Sequence, residues 1–391
     1  MRAAATAATV TTVTTSVTVT VVSALTLALA GCSSEAPPAD DSGYVWQLPA
    51  GFPRPVVPAH NPMSSAKVEL GRHLFYDLRL SGNGQQACAS CHEQARAFSD
   101  GRPRGVGSTG VMHARNPQGL GNVAYLSTLT WIGPGLGELE RQLEAPMRGE
   151  APIELGMGGH EDEILARLAA EPRYADLFAA AFPGQAPTFD SIKAALASFV
   201  RALISGNSAF DRHARGERGA MSPAALRGAD LFFSRRLGCT GCHGGFQFTT
   251  ATRYVGSTDT PLESPFHNIG LYNLDGAGAY PADAPGLRAI TGQARDEGRF
   301  RVPSLRNVEL TAPYMHDGSV ATLEDVIRIY EDGGRLITDG PSAGDGRESP
   351  LRSRLLTTFQ LSDGERADLI AFLRSLTDEG FVTDPRFANP W

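Results

Sequence analysis

The sequence contains very little lysine and no basic block. Lys67 and Lys193 are its two lysines, and 35 basic residues against 42 acidic ones give a net charge of −7. A chain without Lys/Arg clusters is a poor partner for a phosphate backbone, which excludes nucleic-acid binding. Beyond the N-terminus no apolar run approaches the ~20 residues that span a bilayer, so a polytopic membrane protein is excluded as well.

Cysteine is also scarce, but its placement is informative. Four of the five cysteines form two Cys-x-x-Cys-His units, which are residues 88–92 (CASCH) and 239–243 (CTGCH). A disulfide framework would not usually place every such pair directly before a histidine. The alternatives are a zinc site that uses both pairs, a thioredoxin-like redox motif and the attachment signature of c-type haem.

Two complete copies of this unit in an exported chain favour haem over the other readings. Two thioethers then fix each porphyrin, and the adjacent imidazole reaches the iron on one face. The sequence therefore predicts two covalently bound haem c groups. Their attachment residues are Cys88, Cys91, Cys239 and Cys242, and their proximal ligands are His92 and His243.

The N-terminal segment predicts export. Residues 1–31 carry one charge, Arg2, and an apolar core, and they end in Leu29-Ala30-Gly31-Cys32, which resembles the bacterial lipobox. In that pattern the peptidase cuts before the cysteine, which is lipidated. An ordinary cleaved signal with a chance cysteine is the alternative. We expect a signal peptide (1–31), lipidation at Cys32, a tether (32–60) and a periplasm-facing protein with a lipid anchor in the outer membrane.

An internal repeat surrounds the two haem motifs. Residues 71–80 (GRHLFYDLRL) and 228–237 (GADLFFSRRL) share the pattern Gly-x-x-Leu-Phe-x-x-x-Arg-Leu. Helix signals include an amphipathic pattern from Ile192 to Ile204, the Ser222-Pro223 start, and caps at Thr322 and Ser362. The fold class is mostly α, with long loops and two cytochrome c-like haem domains. We place these domains at residues 61–205 and 206–391.

The distal face of each iron decides function, because an occupied sixth position gives electron transfer and an open one permits chemistry. Spacing alone does not identify the sixth ligand. After the second motif the candidates are His267, Met315, His316 and Tyr330.

At this point the sequence resembles a known family. The two motifs about 150 residues apart, with residues 301–308 (RVPSLRNV) and 310–318 (LTAPYMHDG), resemble the bacterial dihaem cytochrome c peroxidases and MauG. The resemblance runs from about Asn61 to Leu376. Residues 75–102 and 153–157 are most similar to the MbnH-type dihaem enzymes of methanobactin operons.

The resemblance implies roles around the second haem. Tyr330 occupies the distal-ligand position, where peroxidases have methionine and MauG has tyrosine; its alternative is a core position. Trp131 falls where the family has a tryptophan between the haems, and a core anchor is compatible with that role. Asn116, with the carbonyls of Thr311 and Pro313, matches a calcium site between the haems, and these oxygen donors suit Ca²⁺.

The resemblance also implies the distal pocket of the first haem, formed by Gln142, Pro146 and Glu154. A carboxylate there can take a proton from peroxide and return it to the leaving oxygen; a solvated loop position is the alternative for Glu154. The distal histidine of the peroxidases corresponds to Ser108 here, and whether nearby His113 ligates the iron stays open. Leu237 replaces a surface tryptophan of MauG.

Together these features predict an enzyme that reacts with H₂O₂ at the His92 haem. It would share a high-valent state over both haems and Trp131, and oxidise a partner protein in the periplasm or at the surface, at a tryptophan side chain. A cytochrome c peroxidase fed by a small c-type cytochrome is the second enzymatic reading. A non-catalytic dihaem electron carrier is the rival from another class, and the absence of His or Met at position 108 argues against it.

Overall fold

The computed structural model describes residues 43–135, 137–258 and 265–391. The predicted signal peptide, Cys32 and the start of the predicted tether lie outside these residues. In the described part, the α-helices are α1 (Ser65–Tyr76), α2 (Leu139–Gln142), α3 (Glu144–Arg148), α4 (Glu161–Ala169), α5 (Pro172–Ala181), α6 (Phe189–Ala202), α7 (Ala209–Ala214), α8 (Pro223–Phe233), α9 (Arg288–Thr291), α10 (Leu323–Asp332), α11 (Asp363–Arg374) and α12 (Glu379–Thr383).

Strands are short and few among these residues. β1 (Phe266–His267) pairs antiparallel with β2 (Phe300–Arg301), and β3 (Leu336–Ile337) pairs antiparallel with β4 (Gly344–Asp345). The predicted mostly-α class with long loops is confirmed. No helix in the described ranges is both long enough and apolar enough to cross a bilayer.

The helix-start signals read from the sequence are confirmed. The side chains of Ser222, Thr322 and Ser362 each accept a hydrogen bond from the backbone amide three residues on, at the starts of α8, α10 and α11. α6 ends at Ala202, two residues before the predicted pattern does. The chain turns there because the carbonyl of Leu203 accepts a hydrogen bond from the Asn122 amide, at 2.8 Å.

The repeated glycine has a packing role in both copies. A Cβ on Gly71 in α1 would lie 2.0 Å from the carbonyl oxygen of Ala195 in α6. A Cβ on Gly228 in α8 would lie 1.9 Å from the carbonyl oxygen of Asp368 in α11. Neither helix pair could approach this closely with a side chain at that position. The sequence repeat is therefore also a structural repeat, in which one helix crosses another just before each attachment loop.

Three buried apolar clusters form the core of the described part of the chain. The first surrounds α1, α5 and α6, the second surrounds α8, α10 and α11, and the third contains Trp131, Leu271 and Phe300. Phe381 and Phe387, near the C-terminus, pack in the first cluster. The division of the chain between residues 205 and 206 stays a prediction.

Candidate active site

Each Cys-x-x-Cys-His unit forms the same local structure. Its first residues make a single 3₁₀ turn, Cys88–Ser90 in one copy and Cys239–Gly241 in the other. The four cysteines of the two units are free in the structure, so none is consumed by a disulfide. Both loops therefore present two thiols and one imidazole, the set that a covalent haem requires.

The two motif histidines are oriented by backbone carbonyls. Nδ1 of His92 donates to the carbonyl oxygen of Phe98 at 2.7 Å, and Nδ1 of His243 donates to that of Phe248 at 3.0 Å. Phe98 and Phe248 both have positive φ angles, +62° and +51°. A bond through Nδ1 leaves Nε2 free to bind a metal and fixes the ring orientation. Burial lowers the pKa of both histidines, that of His243 to about 4, so each imidazole is neutral, the form that ligates iron.

One cavity contains the whole predicted site of the second haem. Cys239, Cys242, His243 and Tyr330 all line it, and most of the remaining lining is apolar. Within the described residues, the hydroxyl of Tyr330 has no hydrogen-bond partner, and burial raises its pKa. A buried phenol gives up its proton only to a strong positive charge nearby, which a ferric iron supplies. The donor set and the apolar lining fit a haem.

The other three candidate ligands line the same cavity, so position alone does not select among them. His316 is buried and stacks on the Phe300 ring, with centroids 3.6 Å apart and planes 12° apart. Nδ1 of His267 faces Ser353 Oγ at 3.3 Å, and Met315 has a left-handed backbone, with φ of +74°. Ligation by Tyr330 therefore stays a proposal.

Arg301 is a site residue to which the sequence gave no role. It is 3% exposed and lines the cavity, and its guanidinium bonds the side chain of Gln118 and the carbonyl of Thr130. No carboxylate pairs with it anywhere in the described ranges, and burial lowers its pKa to about 10. A buried cation without an anion is costly. The propionates of a haem would supply the missing negative charge, which is a second reason that the cavity fits one.

Trp131 and the predicted calcium ligands meet at Asn116. The indole Nε1 of Trp131 donates to the carbonyl of Asn116 at 2.9 Å, and the Asn116 amide donates to the carbonyl of His316 at 2.8 Å. Asn116 is thereby joined to the loop that contains Thr311 and Pro313. Its Nδ2 donates to the carbonyls of Arg102 and Pro103, leaving Oδ1 without a partner in the described part of the chain. The oxygen donors fit Ca²⁺, and the calcium site stays a prediction.

The residues predicted for the first distal pocket belong to adjoining segments. The amide of Leu155 donates to the carbonyl of Pro146 at 2.9 Å, and the amide of Ser108 donates to the carbonyl of Glu154 at 2.7 Å. Gln142 ends α2, one helical turn before Pro146. Ser108, to which the resemblance assigns the position of the peroxidase histidine, therefore contacts the segment of the predicted acid–base residue directly.

Glu154 lies near the first attachment loop. Burial raises the pKa of the Cys88 and Cys91 thiols, and the negative charge of Glu154 raises both further. Two-fifths of the Glu154 side chain is exposed, yet partial burial raises its pKa to about 6. A carboxyl with a pKa close to neutrality can both accept and return a proton, as the acid–base role requires.

The structure also shows where Leu237 and His113 lie. Leu237 is buried and lines the cavity of the second haem. His113 lies beside Glu154, with Nδ1 3.7 Å from Oε1 of the carboxyl. Sequence spacing placed His113 only in a glycine-rich loop, because a contact between residues 41 positions apart has no local signature.

Comparison with known proteins identifies the family of the chain. The family model for di-haem cytochrome c peroxidase matches residues 65–219. The methylamine utilization protein MauG of Methylorubrum extorquens is 35% identical over 358 residues, which cover 90% of this chain and 91% of MauG. The cytochrome-c peroxidase IdrP1 of Pseudomonas sp. (strain SCT) is 35% identical over 84% of this chain and 85% of its own length.

A solved structure extends the comparison. It is described as a MauG-like protein associated with microbial copper homeostasis, and it is 48% identical, with a TM-score of 0.86. The match covers 89% of this chain and 99% of that one. The protein is thus a two-haem oxidoreductase of the H₂O₂-dependent type. It belongs to the dihaem cytochrome c peroxidase/MauG family.

We expect two covalent haem c groups per chain in a pyridine haemochrome assay, because both attachment units are complete and correctly oriented. His92→Ala and His243→Ala should each remove one proximal ligand while leaving both cysteine pairs. A count of one or none, in a host with working haem-maturation machinery, would contradict covalent attachment at both motifs.

Proposed function

We propose that this protein is a MauG-like enzyme that uses H₂O₂ to oxidise a side chain of a partner protein, a tryptophan. The observation that carries the proposal is Tyr330, an unpartnered phenol in the cavity of the second haem, at the position where peroxidases have methionine. An anionic oxygen ligand lowers an iron potential and favours high oxidation states, whereas methionine raises it. The 48% identity to a MauG-like protein supports the same reading.

The chain's own residues have distinct tasks in this reaction. His92 and His243 hold the two irons, which supply the one-electron and peroxide chemistry when the haems are bound. Glu154 takes the proton from one oxygen of H₂O₂ and returns it to the other, which leaves as water. Trp131, held by the carbonyl of Asn116, passes electrons between the two sites. Gln142 and Pro146 shape the pocket beside Glu154.

Cellular location and accessory groups complete the proposal. The enzyme faces the periplasm, anchored through Cys32, and it binds calcium between the haems through Asn116, Thr311 and Pro313. The partner is a periplasmic or surface protein encoded nearby. Because Leu237 is buried where MauG has a surface tryptophan, that partner exchanges electrons by another route than through this position.

The peroxidase reading is the second candidate, and it has its own support. Relatives at 35% identity include a cytochrome-c peroxidase. In this reading the enzyme takes its electrons from a small c-type cytochrome. The two readings differ in a measurable requirement. Without histidine at position 108, the diferric enzyme should react with H₂O₂ without prior reduction, whereas a peroxidase of the usual kind needs one haem reduced first.

The deciding experiment is mass spectrometry of the proposed partner, the periplasmic or surface protein encoded nearby, after incubation with diferric enzyme and H₂O₂. We expect an oxygen-addition or kynurenine mass shift on a tryptophan peptide, and no shift when either H₂O₂ or enzyme is omitted. If no protein is modified, and reduced cytochrome c is rapidly consumed only after pre-reduction, the enzyme is a cytochrome c peroxidase instead.

A further inference from the structure

A tight hairpin carries a partly buried histidine, His113, to the side of Glu154. The chain folds back between Gly105 and His113, with hydrogen bonds from the His113 amide to the Gly105 carbonyl at 2.8 Å and from the Gly107 amide to the Val111 carbonyl at 3.0 Å. Val106 and Met112 pair across it as an antiparallel bridge. The hairpin thus fixes the backbone of His113.

The same hairpin is fixed to the segment that contains Glu154. The Ser108 amide donates to the Glu154 carbonyl, and a Cβ on Gly107 would lie 1.9 Å from the carbonyl oxygen of Ile153 and 3.2 Å from His113 Nε2. Glycine at position 107 is therefore what allows the hairpin to lie directly on residues 153 and 154. The backbones of His113 and Glu154 are held in one rigid arrangement.

The His113 ring has one polar neighbour that its bonding can use. Nδ1 lies 3.7 Å from Glu154 Oε1, whereas Nε2 is buried and has no hydrogen-bond partner in the described part of the chain. The tautomer with its proton on Nδ1 directs that proton at the carboxylate and buries only a lone pair at Nε2. Contacts to acid–base groups are commonly this long before the reactant binds, and they shorten in the reacting complex.

This pair lies at the first haem site. A Cβ on Gly105 would lie 4.0 Å from both the Cys91 sulfur and Cγ of His113. The other acid close to His113 is Asp100, which is buried; its Oδ1 accepts the Arg102 amide and its Oδ2 has no partner among the described residues. Glu154 is the acid with an oxygen within 4 Å of a His113 ring nitrogen, so it is the carboxyl that His113 can orient.

We propose that His113 is the positioning residue of Glu154, holding its carboxyl by an Nδ1–H contact rather than ligating the iron. The proposal rests on the acid–base role given to Glu154 above. A hydrogen-bond donor facing the charged carboxylate also favours ionisation, which keeps Glu154 ready to accept a proton at neutral pH.

The test uses two substitutions that differ in where they place an amide. The side-chain amide of Asn occupies nearly the position of Nδ1, and that of Gln nearly the position of Nε2. We therefore expect His113→Gln to slow the reaction of the holoenzyme with H₂O₂ about 10-fold in stopped flow, and His113→Asn to stay within about 3-fold of the wild type. His160→Gln is the matched control, because His160 pairs with Glu163 at 3.3 Å on the exposed surface. It should leave the rate unchanged.

Two further measurements separate positioning from structural damage. In pH-difference infrared spectra, the titration midpoint of the Glu154 carboxyl should rise by about half a unit to one unit in His113→Gln and return in His113→Asn. The double variant Glu154→Gln/His113→Gln should be no slower than Glu154→Gln alone, because His113 acts through that carboxyl. His113→Gln and His113→Asn should both keep two haems and the wild-type ferric spectrum.

Three results would overturn the proposal. A change of spin state of the first haem in His113→Gln would make His113 an iron ligand. A slow Glu154→Gln variant together with a wild-type His113→Gln rate and carboxyl midpoint would refute the positioning role while leaving the acid–base role intact. A wild-type rate in Glu154→Gln itself would refute both.

Discussion

Tyr330→Phe is expected to alter the low-spin component of the ferric spectrum and to abolish oxidation of the partner protein, with both haems still attached. The phenyl ring keeps the packing of α10 but removes the oxygen that would bind the iron. Without an anionic ligand the potential of the second iron rises, and the oxidising equivalents are no longer shared between the two sites. Electronic absorption and EPR spectra of the ferric protein measure the first effect, and the mass-spectrometric assay measures the second.

Tyr314→Phe provides a matched control for this substitution. Tyr314 lines the same cavity, and burial raises the pKa of its hydroxyl to about 12. Loss of that hydroxyl should leave the low-spin signal unchanged. An unchanged spectrum in Tyr330→Phe would instead return Tyr330 to a core role and make Met315 or His316 the ligand.

Glu154→Gln is expected to slow the reaction with H₂O₂ by about 10²-fold or more, the usual scale for a positioned acid–base group. The amide keeps the size of the side chain but cannot take up a proton. Because partial burial raises the pKa of Glu154 to about 6, the wild-type rate should fall as the pH drops through about 6 and the carboxylate becomes protonated. The variant should lose this dependence. Stopped-flow rates from pH 5 to 8 measure both effects.

Glu150→Gln serves as the control for this second substitution, since Glu150 is an exposed residue of the same segment. A Glu154→Gln rate within a small factor of the wild type would remove Glu154 from the chemistry. The first pocket would then need another proton acceptor, and His113 is the nearest alternative base.

Much of the fold could be predicted because its signals are local. Caps at Thr322 and Ser362 act within one turn, and the two haem motifs are contiguous in the chain. Gly71 and Gly228 are recognisable in the sequence as a repeat. The need for glycine at these positions is a tertiary effect, because a carbonyl oxygen lies about 2 Å from where a Cβ would be. The end of α6 was predicted two residues late, because a tertiary bond from Asn122 ends it.

The parts of the site that escaped prediction depend on contacts between distant residues. In the sequence, Arg301 is one arginine of a motif. Only the structure shows that it is buried without a paired carboxylate. His113 becomes a partner of Glu154 only when the hairpin folds onto residue 154. The structure does not select the distal ligand of the second haem. Tyr330 and the three other candidate side chains line one cavity, and the geometry does not reduce them to one.

The paired carbonyls of Phe98 and Phe248 limit where the two haems can differ. Each motif imidazole gives its Nδ1 proton to a neutral backbone oxygen, so the partner that orients it is a peptide carbonyl in both copies, and no side-chain substitution removes that partner. In the function proposed above, the two copies of the repeat therefore differ on the opposite faces of their haems. One copy has a pocket for a small oxidant and the other a phenol, so one repeated module serves as a reactive centre and as a storage centre with the same anchoring half.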